Sequence, residues 1–433
     1  MENTQANSTR ETTATREDDN QFARFLKTLG PGLLFASTAI GVSHLVQSTR
    51  AGATYGYALL WAILIANLLK YPSFEYGSRY ANATGESLID GYRRFGRWAL
   101  YLYLFITVTP MFIIIAAVSF TTAGLLNNLL ALTIPASTTS LFLFVVCVGI
   151  LLVGKYSILD SLIKVICTVL FISTIAAFVL TLLRGPIAPL TFYSSEIWSI
   201  SGFAFLIALM GWMPAPLDLS ALNSLWTLER IKQTRYKPTM RETLLDFNIS
   251  YAITAILAVC FMTLGAFIMY GSGHSFSNQS GTQFTNEVVR LYTTTLGDWS
   301  YIIIASSAFS VMFSTTLVLF DGYARAMDRT WALLFSNGQN SRTVYNAWII
   351  IGAIGGYLII TQFLTNFTTL IDLATVISFL VAPIIAIANH RLVFSSHMPR
   401  EAHPPRWLKL LSYAGIVFLV VFTVIYIGMR ALI

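Results

Sequence analysis

Two apolar stretches, one in each half of the chain, are interrupted near their middle by residues that break helices. They read Gly41-Val42-Ser43-His44 and Met213-Pro214-Ala215-Pro216. The chemistry such breaks offer is coordination of an ion or small solute. Pro214 and Pro216 have no N–H, so the carbonyls one turn earlier, at Met210 and Trp212, lose their helical partners and can turn toward a cation. Past each break, a new half-helix presents unpaired N–H groups at the positive end of its dipole, which suits an anionic group. A broken helix therefore serves either sign of charge, and the side chains decide. The candidate substrate-binding residues are Gly41, Val42, Ser43 and His44, with Met210, Met213, Pro214, Ala215 and Pro216. His44 titrates near neutral pH in water, so it is read as a proton carrier or solute donor, against the plainer reading of a satisfied structural imidazole.

Around the breaks lie the coupling and gating candidates. Asp218 is the acid deepest in the apolar pattern, and an intramembrane acid is functional by default. The competing account pairs it with Lys70, a pair that would itself gate a path. Ser306, Ser307, Ser310, Ser314, Thr315 and Thr316 mark one span with hydroxyls, which glue helices together in membranes without any ion. Glu75 and Arg79, like Asp321 and Arg325, are spaced as i,i+4 ion pairs. Asp372 falls in the first turns of a span, where the helix dipole favours an acid. Cys147, Cys167 and Cys260 have no metal-like spacing and read as buried, inert thiols. No phosphate-cradling glycine loop or nucleophile–base set stands out. The chain is therefore expected to be neither an enzyme nor an ATP-driven pump, and to need no cofactor.

The elements that must position these residues are membrane helices. The chain has 433 residues, of which 55% are hydrophobic and only 11% charged, with a mean hydropathy of +0.67. Soluble domains carry roughly 25% charged residues. Apolar runs long enough to cross a hydrocarbon core about 30 Å thick predict an all-α, polytopic protein of eleven spans. They fall at 31–54, 57–80, 98–125, 139–155, 162–183, 200–226, 244–271, 299–324, 344–364, 367–390 and 408–429. Lys and Arg concentrate in alternate loops, which places the N-terminus in the cytoplasm and the C-terminus outside. The net charge of +7 thus reflects topology and gives no argument for nucleic acid. The expected partners are the lipid bilayer and a small solute or ion, and the expected location is a bacterial plasma membrane. Residues 1–22 read as a disordered cytoplasmic tail. Gly271–Gly297 is the longest outer loop, with a short amphipathic helix at Phe284–Tyr292.

Counting spans suggests two repeats, 30–184 and 200–391, with 407–433 as a peripheral eleventh helix. Five spans apiece make the repeats inverted, and the broken spans are then the first of each repeat. Such breaks mark a solute site near the bilayer midplane in secondary transporters.

The run from Gly30-Pro31-Gly32 through Arg50-Ala51-Gly52-Ala53, then Gly56-Tyr57 and Leu60-Trp61, resembles the first helix of the NRAMP (natural resistance-associated macrophage protein) metal transporters. Met213-Pro214 resembles the start of that family's Met-Pro-His-Asn element, and the layout of spans is similar throughout. The resemblance implies a LeuT-type fold, five plus five inverted helices with one extra, and alternating-access transport of Mn²⁺, Fe²⁺ or related ions, usually with protons. In folds of that type, hydroxyls like those at Ser310, Ser314 and Thr315 can also hold Na⁺. The metal chemistry departs from the family's pattern. Gly41 stands where the family has the Asp of Asp-Pro-Gly-Asn, and His44 where it has the Asn. Ala215 and Pro216 replace the His and Asn of the sixth helix, and Ser220 replaces its later His. The family's acid in the third helix has no counterpart among Met111–Leu126. A metal site here would be left with Met213, His44 and a displaced Asp218. A dication stripped of its only anionic ligand is costly to hold in a low-dielectric site. Two other readings therefore stand beside the divalent cation: a carrier of a small anion or zwitterion, and a sensor or scaffold that kept the fold and lost transport. A wet, polar cavity at the breaks favours a carrier, whereas a collapsed apolar one favours the scaffold.

Overall fold

A computed structural model describes residues 30–153, 156–272, 286–290, 292–293, 297–363 and 367–431. The side chains of 156–167 are outside that description, as are those of Leu170, Phe363, Phe367, Thr368 and Arg430, so Cys167 is not placed. The tail expected at 1–22 also lies outside it.

The described residues are almost entirely helical. The first span is α1 (Pro31–Ala39), a turn of π-helix at Ser43–Ser48 and α2 (Thr49–Tyr55). After it come α3 (Leu60–Thr84), the short α4 (Leu88–Tyr92), α5 (Arg97–Leu129), α6 (Ala136–Val153) and α7 (Tyr156–Arg184). The sixth span is α8 (Ile200–Gly211) and α9 (Leu219–Thr234), followed by α10 (Met240–Ile268) and α11 (Tyr301–Phe335). The ninth is α12 (Arg342–Leu358), continued by a π turn at Ile359–Phe363, and the last are α13 (Phe367–Val393) and α14 (Arg406–Ala431). All eleven expected spans are present, with ends shifted by a few residues. The described parts of the expected Phe284–Tyr292 helix, 286–290 and Tyr292, are helical.

Among the described residues, seven helices are long and apolar enough to cross a membrane unaided. The other four are the two broken spans, each in two short pieces, α7, of which Phe171–Arg184 counts as an apolar helix, and α3, which carries Lys70, Glu75 and Arg79, all buried. Arg79 closes a two-pronged ion pair on Glu75, its Nε within 3.0 Å of both carboxylate oxygens. Arg325 likewise reaches Asp321 at 2.7 Å. Both i,i+4 pairs are as the spacing expects.

Close packing sets where the broken spans sit. A side chain at Gly52 would lie 2.0 Å from the Met262 carbonyl, and one at Gly265 2.2 Å from that of Thr49. These two glycines let α2 and α10 touch backbone to backbone, the usual device where lipid supplies no hydrophobic drive. Gly211, at the end of α8, meets the Thr375 carbonyl of α13 in the same way. At its start α1 is fixed to α10, where the Gly32 N–H donates to Asp246 Oδ2 at 2.8 Å.

Candidate functional site

The first break spans Ile40–Val42. The Gly41 carbonyl accepts from the N–H groups of His44 (3.2 Å) and Leu45 (3.0 Å), which starts the π turn. Gly41 sits against α11: a Cβ there would be 3.1 Å from Thr315 Cγ2. Thr315 donates to the Ser37 carbonyl at 2.7 Å, and the Ser314 hydroxyl lies 2.7 Å from that of Ser37. Both hydroxyls thus tie α11 to the end of α1. Ser310, a turn away and only partly buried, does not line the break.

His44 is fully buried and held at both ring nitrogens. Nε2 lies 2.9 Å from the Thr254 carbonyl of α10, and a carbonyl only accepts, so Nε2 carries a proton. Nδ1 faces the Ser43 hydroxyl at 2.7 Å. That hydroxyl is also 2.6 Å from the Ala39 carbonyl and 3.2 Å from that of Pro214, and so joins the two breaks.

In the second break, α9 restarts with the Leu219 N–H on the Pro216 carbonyl (3.1 Å). Of the oxygens expected to be set free, that of Met210 is taken by Lys70. The ammonium donates to Met210 (3.2 Å), Gly211 (3.0 Å) and Ala215 (2.9 Å), all backbone carbonyls. The ion pair weighed between Lys70 and Asp218 does not form. Lys70 has three N–H donors and three carbonyls, while Asp218 accepts from the Tyr323 hydroxyl at 3.1 Å. The two charges are near enough to feel each other without touching. Tyr92 and Tyr103 are near enough to feel the same carboxylate, the Tyr92 hydroxyl itself donating to Asn389 Oδ1 at 2.6 Å.

Between the breaks is a cavity of about 20 Å³, about the space one water needs. Thr38, Ser43 and Thr315 bring hydroxyls to it, and Val42, Ile114, Val118, Leu219 and Leu319 make it mainly apolar, with Pro216 beside them. Met213 is fully buried close by in the core. Among the described residues, no group of three or more His, Cys, Asp or Glu is placed to hold a metal.

Ion pairs join the helices around the site at two places. At one, Arg50 of α2 grips Asp372 of α13 with two nitrogens at 2.7 and 3.2 Å, and Gln47 donates to the same carboxylate at 3.1 Å. The dipole placement foreseen for Asp372 missed this partner, because nothing local in the sequence joins positions 50 and 372. At the other, Arg329 pairs with Asp90, and Arg325 reaches Glu229 at 3.8 Å. Residues missed by sequence reasoning are therefore Tyr323, Thr38, Thr254 through its carbonyl, and Arg50. Only Arg50, as a lone charge beside the first break, left a visible signal.

The chain matches the family described as natural resistance-associated macrophage protein-like over residues 32–428. It is 35% identical over 406 residues to an uncharacterised protein of Pasteurella multocida, covering 93% of this chain and 92% of that one. It is 24% identical over 256 residues to the divalent metal cation transporter MntH of Staphylococcus aureus, covering 58% and 57% of the two chains. Among solved structures, a manganese transporter of Eremococcus coleocola superposes with a TM-score of 0.68 at 15% identity, over 93% of this chain and 86% of that one. MhsT in complex with L-phenylalanine superposes at 0.60 and 14% identity, over 92% and 98%. The fold is thus the LeuT-type arrangement expected from the two breaks. A match running from α1 into α14 shows that this chain belongs to the natural resistance-associated macrophage protein-like family, as a member with Gly41 and His44 at the first break and Lys70 bound to the second.

Proposed function

We propose that the protein is a secondary transporter working by alternating access, with its solute site where the two broken spans meet. Its cargo is a small solute without net positive charge, and the bare divalent cation of its metal-carrying relatives does not fit. The observation that carries this reading is the state of the donors. His44 offers no free nitrogen, since one is spent on the Thr254 carbonyl and the other on Ser43. Among the described residues no carboxylate lines the cavity between the breaks, and Asp218, at the end of the second break, is engaged by the Tyr323 hydroxyl. Met213 alone is a poor match for Mn²⁺, which prefers oxygen ligands. The hydroxyls of Thr38, Ser43 and Thr315 give their protons to the Leu34, Ala39 and Ser37 carbonyls, and their oxygens keep lone pairs that suit the donors of a neutral or zwitterionic solute once the site opens. A cavity the size of one water belongs to the closed, empty state of such a carrier. The N-terminus is cytoplasmic and the C-terminus external in this reading, on the Lys and Arg bias of the loops.

Calorimetry of the purified protein with Mn²⁺, beside Met213→Ala, tests the cargo class. No Mn²⁺ binding is expected. Micromolar binding that Met213→Ala abolishes would restore the metal reading, with Met213 as a surviving ligand.

A further inference from the structure

The Lys70 ammonium sits where the sixth span is unwound, and its surroundings are those of a coordinated ion. It is fully buried. Its three N–H groups meet three carbonyl oxygens at 2.9 to 3.2 Å, one from each of Met210, Gly211 and Ala215. Among the described residues no side-chain acid bonds to it. Met210 and Gly211 end α8, so their oxygens lie at the negative end of its dipole, and Ala215 lies within the break. A buried charge of this kind is normally neutralised by a partner charge. Here carbonyl dipoles serve instead, as they do for ions in membrane proteins.

We propose that Lys70 is a resident cation: a tethered ammonium that permanently fills a carbonyl-lined cation site in the break of the sixth span and excludes metal and alkali ions from it. The chemical class the site takes is a compact monocation, and the chain supplies it from α3. Two consequences follow. The unwound segment stays ordered without a bound ion, because the ammonium ties its middle, at Ala215, to the end of α8. The cation selectivity of this half of the site is set by Lys70, and not by Met213. This goes beyond the cargo reading, because the stability measurement below is made without any transported solute.

The test is thermal unfolding of the full chain in detergent micelles. Buffers hold choline, sodium, potassium or ammonium chloride at equal ionic strength, or choline chloride with millimolar Mn²⁺. For the wild-type protein, Tm is expected to be the same in all of them. Lys70→Ala empties the carbonyl site, so its Tm should fall by several degrees in choline. Ammonium, small enough to enter where choline is not, should recover a measurable part of that fall, as any ligand selective for the folded state does. Lys70→Gln, which keeps two N–H donors but no charge, carries the same comparison if the alanine variant does not fold. Wild-type Tm that rises with Na⁺, K⁺ or Mn²⁺ would show an ion entering despite Lys70 and overturn the proposal. So would a Lys70 variant as stable as wild type, or one whose Tm ammonium leaves unmoved. A failure of the cargo reading appears elsewhere, as Mn²⁺ binding lost in Met213→Ala.

Discussion

Asp372→Asn should unlatch one face of the transporter, and the effect can be sized from the contacts it removes. Asp372 accepts two bonds from Arg50 and one from Gln47. The Arg50 side chain is 12% exposed and that of Asp372 35%. A fully buried charged hydrogen bond contributes about 1.5–3 kcal/mol, and an exposed ion pair rarely more than about 1. With one partner a third exposed, about 1–2 kcal/mol is the appropriate figure for the whole latch after discounting for screening. That corresponds to roughly a 5–30-fold rise in the population open on this face. Thr375, one helical turn below Asp372 and fully buried, reports such an opening. In a Thr375→Cys background, reaction with a membrane-impermeant thiol reagent should speed up by that factor when Asp372 becomes Asn. The native Cys147 and Cys260 are buried, and the comparison is made with Cys167 replaced by Ser in both proteins. The measurement requires no knowledge of the cargo. A rate within twofold of the parent would mean that Arg50 and Asp372 do not hold this face closed.

Two further outcomes concern packing and the inner half of the site. Gly265→Val places a side chain against the Thr49 carbonyl, and the backbone contact between α2 and α10 cannot yield. A cost of about 3 kcal/mol or more should appear as loss of the monodisperse peak in size exclusion, whereas Gly428→Val, with open space around it, should run like wild type. Tyr323→Phe removes the hydroxyl that donates to the buried Asp218. A loss of about 1–3 kcal/mol is expected, read as a lowered Tm, and an unchanged Tm would mean that another donor serves Asp218.

The fold was legible because its signals are local. Each span is a continuous apolar run, each break is written in Gly or Pro, and both i,i+4 pairs are fixed by helix geometry. The site was legible only in outline. Gly41, Ser43 and His44 could be placed at a break by inspection. That His44 spends both nitrogens, however, depends on the Thr254 carbonyl, and a backbone atom leaves no trace in residue type. Lys70 shows the same limit. As a lone cation within a span it invited pairing with the nearest acid, Asp218. Its real partners are three backbone carbonyls where the sixth span unwinds, and of these only that of Met210 loses its helical donor to a proline, Pro214. On α11, Ser314 and Thr315 bond to Ser37 of α1, the kind of helix-to-helix contact common in any membrane bundle.

Gly41 and Lys70 are best understood together. In the metal-carrying relatives, the resemblance implies an Asp at the position of Gly41 and a dication beside it, a net charge of one positive unit. Here Gly41 supplies no acid, the proposed cargo is no dication, and the Lys70 ammonium supplies the same single positive charge to the carbonyls of the sixth span. The carbonyl dipoles therefore see a similar field with no ion bound. Restoring the acid alone should not restore metal binding, because in Gly41→Asp the new carboxylate would be neutralised by Lys70, and its Cβ would press on Thr315 Cγ2 at 3.1 Å. Combining Gly41→Asp with Lys70→Met frees the carbonyls and leaves the acid unpaired, and Thr315→Ser removes the crowding methyl. Calorimetry should then detect Mn²⁺ binding in the triple variant and not in Gly41→Asp. If Gly41→Asp by itself binds Mn²⁺ as tightly as the triple variant, Lys70 does not compete for the site and the charge argument is wrong.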